Sequence, residues 1–182
     1  MAKDPVADRY ARTFFELAKG EGRIEEALQG LEELASLIQH HEELRQFLFN
    51  PGIEVADKLS VLERLLHGSW SSELRAFVQL VLSMARVSFL TEMVGAFREA
   101  VDADRRLLRV TVRSAHPLSE ALKTQLKHRL EQLEDRTVEL TEELAPDLIG
   151  GVQVFLGHRI LDGSLRTKLT TLRHRLKSVR VH

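Results

Sequence analysis

The sequence predicts an α+β protein. An N-terminal six-helix antiparallel bundle fills residues 1–104, and a small C-terminal α/β domain with a short mixed sheet and two helices fills residues 105–182. Three observations carry this prediction. Apolar residues in the first half recur at helical spacings of three and four. At Asp102-Ala103-Asp104-Arg105-Arg106 the period changes, and Leu108, Val110 and Val112 alternate with Arg109, Thr111 and Arg113 as in a strand with one polar face. The charge changes sign at the same place. Residues 1–104 hold 11 Lys/Arg against 18 Asp/Glu, a net of −7, and residues 105–182 hold 15 against 9, a net of +6. Halves of opposite sign suggest two domains with different partners.

The helices follow in order. Val6, Tyr10, Phe14, Leu17 and Ala18 mark the first, which Gly20 and Gly22 stop. Ile24, Leu28, Leu31, Leu34, Ala35 and Ile38 mark the second. A short third helix runs from about Glu42 to Phe49 and ends at Asn50-Pro51-Gly52, because proline disfavours helix at the residue before it. Val55, Leu59, Leu62 and Leu66 mark a fourth, ending near Gly68. Ser71 and Ser72 are candidate caps for a fifth that runs to about Val87. Phe89, Met93, Phe97 and Val101 mark the sixth, and short loops make these an antiparallel bundle.

After the strand at 108–113, Pro117 and Ser119 open a helix with Leu118, Leu122, Leu126, Leu130 and Leu133 on one face. Thr137–Thr141 reads as a second strand. Val152, Val154 and Leu156 form a third, Gly157-His158 is a two-residue hairpin turn, and Ile160-Leu161 returns as a fourth. Asp162-Gly163-Ser164 offers oxygens to cap a last helix carrying Leu165, Leu169, Leu172 and Leu176. The first three of these leucines are expected on the sheet. Gly150-Gly151 reads as a bulge or a close approach on entry to the third strand.

No catalytic constellation is present. Gly150-Gly151 lacks the glycines and the Lys-Ser/Thr of a phosphate loop, and Ser164 does not sit in a Gly-x-Ser-x-Gly elbow. With no cysteine, disulfides and thiolate metal sites are excluded. The eight histidines are scattered, His40-His41 points its two rings to different helix faces, and His128 and His174 fall on basic faces; neither a metal site nor a cofactor is expected. Phe155 is the single aromatic residue of the basic half, so base-stacking platforms are absent and nucleic acid is not expected as a partner. The most apolar region, 76–97, is interrupted by Gln79, Arg86 and Glu92 and reads as a buried helix pair, with no direct membrane insertion. The start, Met1-Ala2-Lys3-Asp4-Pro5, resembles neither a secretion signal nor a transit peptide, so a bacterial cytoplasm, or a processed form, is expected. What remains is apolar surface in excess of a bundle's needs. The first helix carries Ala7, Tyr10, Ala11, Phe14, Phe15, Leu17 and Ala18, and the fifth is apolar nearly all round.

Two motifs resemble one family. Ile149-Gly150-Gly151, an alternating strand, a turn, then Asp162-Gly163-Ser164-Leu165-Arg166 and Leu169 is similar to the C-terminal pattern of the delta subunit of F-type ATP synthase, the oligomycin-sensitivity-conferring family. Arg9-Tyr10-Ala11 with Phe14-Phe15-Glu16-Leu17-Ala18 resembles that family's opening. Phe47 to Ile53 with Lys58-Leu59 and Leu62-Glu63 resembles its middle, and Ala76–Val81 through Arg86 its fifth helix. The chain departs from the pattern at Ala76, where the family has Asn, and at Met84-Ala85, where it has Asn-Gly.

The resemblance implies a non-catalytic peripheral-stalk subunit in a hetero-oligomeric complex, at the cytoplasmic face of the cell membrane. It implies that the N-terminal helix of the alpha subunit binds between the first and fifth helices, at Ala7, Tyr10, Ala11, Phe14, Val78, Val81 and Leu82. It implies that the C-terminal domain binds the C-terminal helices of the b-subunit dimer. Spacing alone leaves open which of those residues face the groove and which face the bundle. The alternatives are a helical adaptor or scaffold unrelated to energy coupling, and an enzyme using a carboxylate pair.

Overall fold

The computed structural model describes residues 4–66, 70–157, 159–164 and 167. The chain divides into two compact units, Met1–Val101 and Asp102–His182.

The first unit is helical. Its elements are α1 (Pro5–Gly20), α2 (Ile24–His40), α3 (Glu42–Phe49), α4 (Val55–Leu65), α5 (Ser72–Ser83), a 3-10 turn at Val87–Phe89, and α6 (Leu90–Asp104), which runs past the division between the units. Asp4 caps α1 by accepting from the Val6 N–H at 2.7 Å, with Pro5 at the first helical position where no N–H is needed. Ser71 caps α5 by accepting from the Leu74 N–H at 3.1 Å. Buried residues from every one of these helices form one apolar cluster, with Phe14, Leu31, Leu34, Leu62, Leu74, Met93 and Phe97 at its centre. Phe14 stacks on Phe77 with ring centres 4.4 Å apart, and Phe97 sits 5.4 Å from Phe14. Lys58 is buried against the turn after α3, where its ammonium donates to the Asn50 carbonyl at 2.7 Å.

α1 and α5 end in the same backbone device with different residues. After α1, Gly22 is left-handed (φ 69°), its N–H bonds the Lys19 carbonyl at 3.1 Å, and the Arg23 N–H bonds Ala18 at 2.9 Å. After α5, Ala85 takes the left-handed position (φ 52°), its N–H bonds Leu82 at 3.0 Å, and the Arg86 N–H bonds Val81 at 2.9 Å. This cap corrects the expectation that α5 reaches Val87: the helix stops at Ser83, and Val87 and Phe89 belong to the 3-10 turn before α6. The expected end of the fourth helix near Gly68 falls outside the described residues.

The second unit contains β1 (Leu107–Ser114), α7 (Glu120–Glu134), β2 (Thr137–Leu144), β3 (Val152–Leu156) and β4 (Arg159–Asp162). The sheet order is β2-β1-β3-β4. β1 and β2 are parallel, joined through α7, and the other two pairings are antiparallel, so the sheet is mixed. Alternation places Val110, Val112, Val138, Val154 and Leu156 on one face with Leu130 of α7. On the other face Arg109 bonds Asp102 at 2.9 Å and Glu139 at 2.8 Å, which raises its pKa, chiefly through the Asp102 hydrogen bond.

One expectation needs correction here, the end of the second strand at Thr141. β2 continues to Leu144 because Glu142 bends inward: its carboxylate accepts the Leu118 N–H at 2.6 Å and meets Lys123 at 2.9 Å, fixing the loop that leads into α7. These bonds, the Leu118 N–H first, lower the Glu142 pKa. The leucine stripe of α7 buries only Leu130 fully. Leu118 and Leu126 are half-buried, while Leu122 and Leu133 are exposed, because α7 packs on the edge strand β2 and its ends overhang. The Ile160-Leu161 return strand forms as expected, as β4, and is an exposed sheet edge. His158 of the expected turn, Arg166, His174 and the expected last helix with Leu165, Leu169, Leu172 and Leu176 lie outside the described residues.

Candidate functional site: a groove between the first and fifth helices

A groove of about 500 Å³ runs between α1 and α5. Arg9, Tyr10, Thr13, Phe14 and Leu17 line it from α1, and Ala76, Phe77 and Leu80 from α5. The two helices run antiparallel. The Phe14–Phe77 stack ties their middles, and Arg23, just past the end of α1, meets Glu73 in the first turn of α5 at 3.8 Å. Phe14 and Phe77 are almost wholly buried and form the floor. Leu17 (47% exposed) and Leu80 (44%) form walls with no covering residue. Met84 (55%) extends the α5 row of Ala76 and Leu80 by one turn. Apolar walls this exposed on two adjacent helices are the geometry of a helix-in-groove receptor.

The structure separates the residues that the sequence could only pool. Tyr10 and Phe14 line the groove. Ala7, Ala11, Val78, Val81 and Leu82 do not; they are 0–6% exposed and turned into the core. The reason is the helical period. Positions 7, 11, 14 and 18 lie over one another and face inward, while 10, 13 and 17 lie on the adjoining stripe. On α5 the inward positions are 74, 77, 78, 81 and 82, and the outward apolar row is 76, 80 and 84. The small side chains of Ala7 and Ala11 therefore permit close packing within this unit. The expected set lacks Arg9, Thr13, Leu17, Ala76, Phe77 and Leu80; Leu17 belongs to the apolar face that already marks the first helix, and Ala76 and Leu80 are apolar positions off the inward stripe of α5.

The Gly-Gly and Asp-Gly-Ser motifs meet in space. Gly151 has φ 82°, and a Cβ there would lie 2.5 Å from the Gly163 carbonyl oxygen and 2.9 Å from the Ser164 Cα. Gly151 is thus a close approach, as expected of this position, and the chain it admits is the other motif. The Gly163 N–H bonds the Val152 carbonyl at 2.9 Å, closing the open end of the β3–β4 hairpin. Asp162 accepts from the Ser164 N–H at 2.9 Å, the Thr167 hydroxyl at 2.8 Å and the Gln153 amide at 3.1 Å. These bonds, those from Ser164 first, hold its carboxyl well below the usual range. Ser164 is buried, and its Oγ accepts from the Thr167 N–H at 3.3 Å, the geometry of a helix N-cap. Gly151, Asp162, Gly163 and Ser164 are structural in this arrangement, and Gly150 leads into it.

Among the described residues no group of three or more His, Asp or Glu could hold a metal ion, and no helix is long and apolar enough to cross a membrane. His40 ends α2, its ring within hydrogen-bond reach of the Ser36 carbonyl at 2.8 Å.

A model of the ATP synthase delta (OSCP) subunit matches residues 6–176. ATP synthase subunit delta of Moorella thermoacetica is 36% identical over 177 residues, covering 97% of this chain and 99% of that one. The subunit delta of Desulfitobacterium hafniense is 32% identical over 180 residues, covering 97% and 98%. A chain of the Toxoplasma gondii mitochondrial ATP synthase hexamer has the same fold, with a TM-score of 0.65 at 20% identity, over 95% of this chain and 98% of that one.

Proposed function

Because the chain belongs to the ATP synthase delta (OSCP) subunit family, we propose that it is the non-catalytic peripheral-stalk subunit of a bacterial F-type ATP synthase, linking the alpha/beta catalytic head to the b subunits. The helical unit, a six-helix bundle in this reading, takes the N-terminal helix of the alpha subunit in the α1/α5 groove. The C-terminal unit takes the C-terminal helices of the b dimer. The protein then sits peripherally at the cytoplasmic face of the membrane and keeps the head from turning with the rotor, so that torque drives ATP synthesis.

The observation that carries this reading is the uncovered apolar groove, with Leu17 and Leu80 as its walls. An amphipathic helix would cover both with one stripe. Exposed Leu144, Ile149, Ile160 and Leu161 support a second contact on the other unit. Two contacts on one chain reinforce each other, since the second becomes intramolecular once the first has formed.

The test is calorimetric titration of the full chain with a synthetic peptide of the first ~20 residues of its own alpha subunit, long enough for an interfacial helix. Tyr10→Ala and Leu80→Asp are the variants to set beside the wild type; Leu80 is exposed, whereas a charge at the neighbouring buried Val81 would unfold the protein. Saturable one-to-one binding, weakened at least tenfold by Leu80→Asp in a protein with unchanged circular dichroism, is expected of a desolvated apolar wall. Absence of binding at high micromolar peptide refutes the reading and favours an adaptor with other partners.

A further inference from the structure

Apolar contact is non-directional and does not by itself fix how a helix lies in a groove. The α1/α5 groove has one ionic feature among its lining residues, at one end. Arg9 is exposed on the groove side of α1, near the end opposite the Arg23–Glu73 contact. Its guanidinium has no ion-pair partner among the described residues. Its neighbours are engaged: Arg12 holds Asp8 at 2.8 Å, and Asp4 accepts the Val6 N–H, so neither acid of the first turns is taken up by Arg9. Arginine stays charged at every working pH, and beside an apolar wall its field is screened less than in bulk water.

We propose that Arg9 pairs with a carboxylate on the helix that occupies the groove, and so sets that helix's register and direction. The inference rests on the stalk reading above, and it makes Arg9 a specificity determinant where Leu17 and Leu80 supply affinity. A helix with the same apolar stripe and no acid at the matching position, or with the acid at the other end, binds more weakly.

The test uses the full chain, wild type and Arg9→Gln, against the alpha N-terminal peptide and peptides in which each Asp or Glu is neutralised in turn. At low salt, Arg9→Gln is expected to weaken binding about two- to fivefold, the range for an exposed rim pair. One neutralised peptide should lose the same factor with the wild type and nothing further with Arg9→Gln, and the difference should shrink at high salt. Equal binding by the two proteins overturns the pairing and leaves the stalk reading standing. A loss in Arg9→Gln that no neutralised peptide reproduces also overturns it, assigning Arg9 to backbone carbonyls. No binding of any peptide by the wild type takes down the stalk reading and this inference together.

Discussion

Replacing Gly151 by alanine should damage the second unit far more than the same change at Gly157, although both glycines have positive φ. At Gly157 (φ 56°) a Cβ meets no atom within 4 Å, so the cost is the left-handed strain alone, about 1 kcal/mol. At Gly151 the strain is similar, but the Cβ also lands 2.5 Å from the Gly163 oxygen and 2.9 Å from the Ser164 Cα. Those are backbone atoms, pinned by the Gly163–Val152 hydrogen bond and by the Asp162 bonds to Ser164 and Thr167. They cannot move without opening the hairpin's end, and overpacking of this kind adds about 1–3 kcal/mol. The total for Gly151→Ala is about 2–4 kcal/mol, a large part of the stability of a unit this size. The chain supplies its own internal control. Trp70, the one tryptophan, packs on the cluster of the first unit, so its fluorescence reports that unit. Far-UV circular dichroism reports both. In urea, Gly151→Ala should shift the dichroism transition of the second unit and leave the fluorescence transition in place. A Gly151→Ala protein no less stable than Gly157→Ala would refute the close-approach argument.

Two further stability predictions follow from single positions. Ala85→Gly should stabilise the first unit by about 0.5–1 kcal/mol, because Ala85 is exposed, loses no contact, and occupies the left-handed cap position that Gly22 fills after α1; a urea midpoint by Trp70 fluorescence equal to or below that of wild type would count against it. The lowered pKa values of Glu142 and Asp162 give the second unit stability that is present above their unfolded values of 4.5 and 3.8 and is lost as pH falls toward their folded values. Glu142→Gln should therefore lower the dichroism midpoint at pH 6 and flatten its decline between pH 5 and pH 3; an acid limb identical to that of wild type would show that the carboxylate does not stabilise the loop before α7.

The helices were legible because their apolar faces repeat at three and four and their ends carry unambiguous stops, Gly22 and Pro51 among them. The end of α5 is not legible because its stop is an alanine in a glycine's conformation, and nothing in the type Ala announces φ 52°. The groove was legible as an excess of apolar residues and illegible in its membership. Tyr10 and Ala11 are neighbours in sequence, yet one lines the groove and the other is core, and only packing decides which stripe turns inward. The Gly-Gly and Asp-Gly-Ser motifs were visible separately. Their contact was not, since it depends on a hairpin register that brings Gln153 opposite Asp162. The half-empty leucine stripe of α7 marks the limit of periodicity, which shows a face and not how much of it the neighbouring sheet is wide enough to cover.

The floor of the groove has a consequence for how such a chain can diverge. In the proposed docking, Phe14 and Phe77, which stack on each other inside the core and line the groove, also meet the incoming helix. A substitution at either is felt twice, once by the fold and once by the partner, and selection acts on both losses together. On the same proposal, Arg9, Tyr10, Leu17 and Leu80 answer mainly to the partner. Drift and compensation between two co-evolving chains are therefore channelled to the rim, and a lineage can change whom it recognises there while inheriting the same floor.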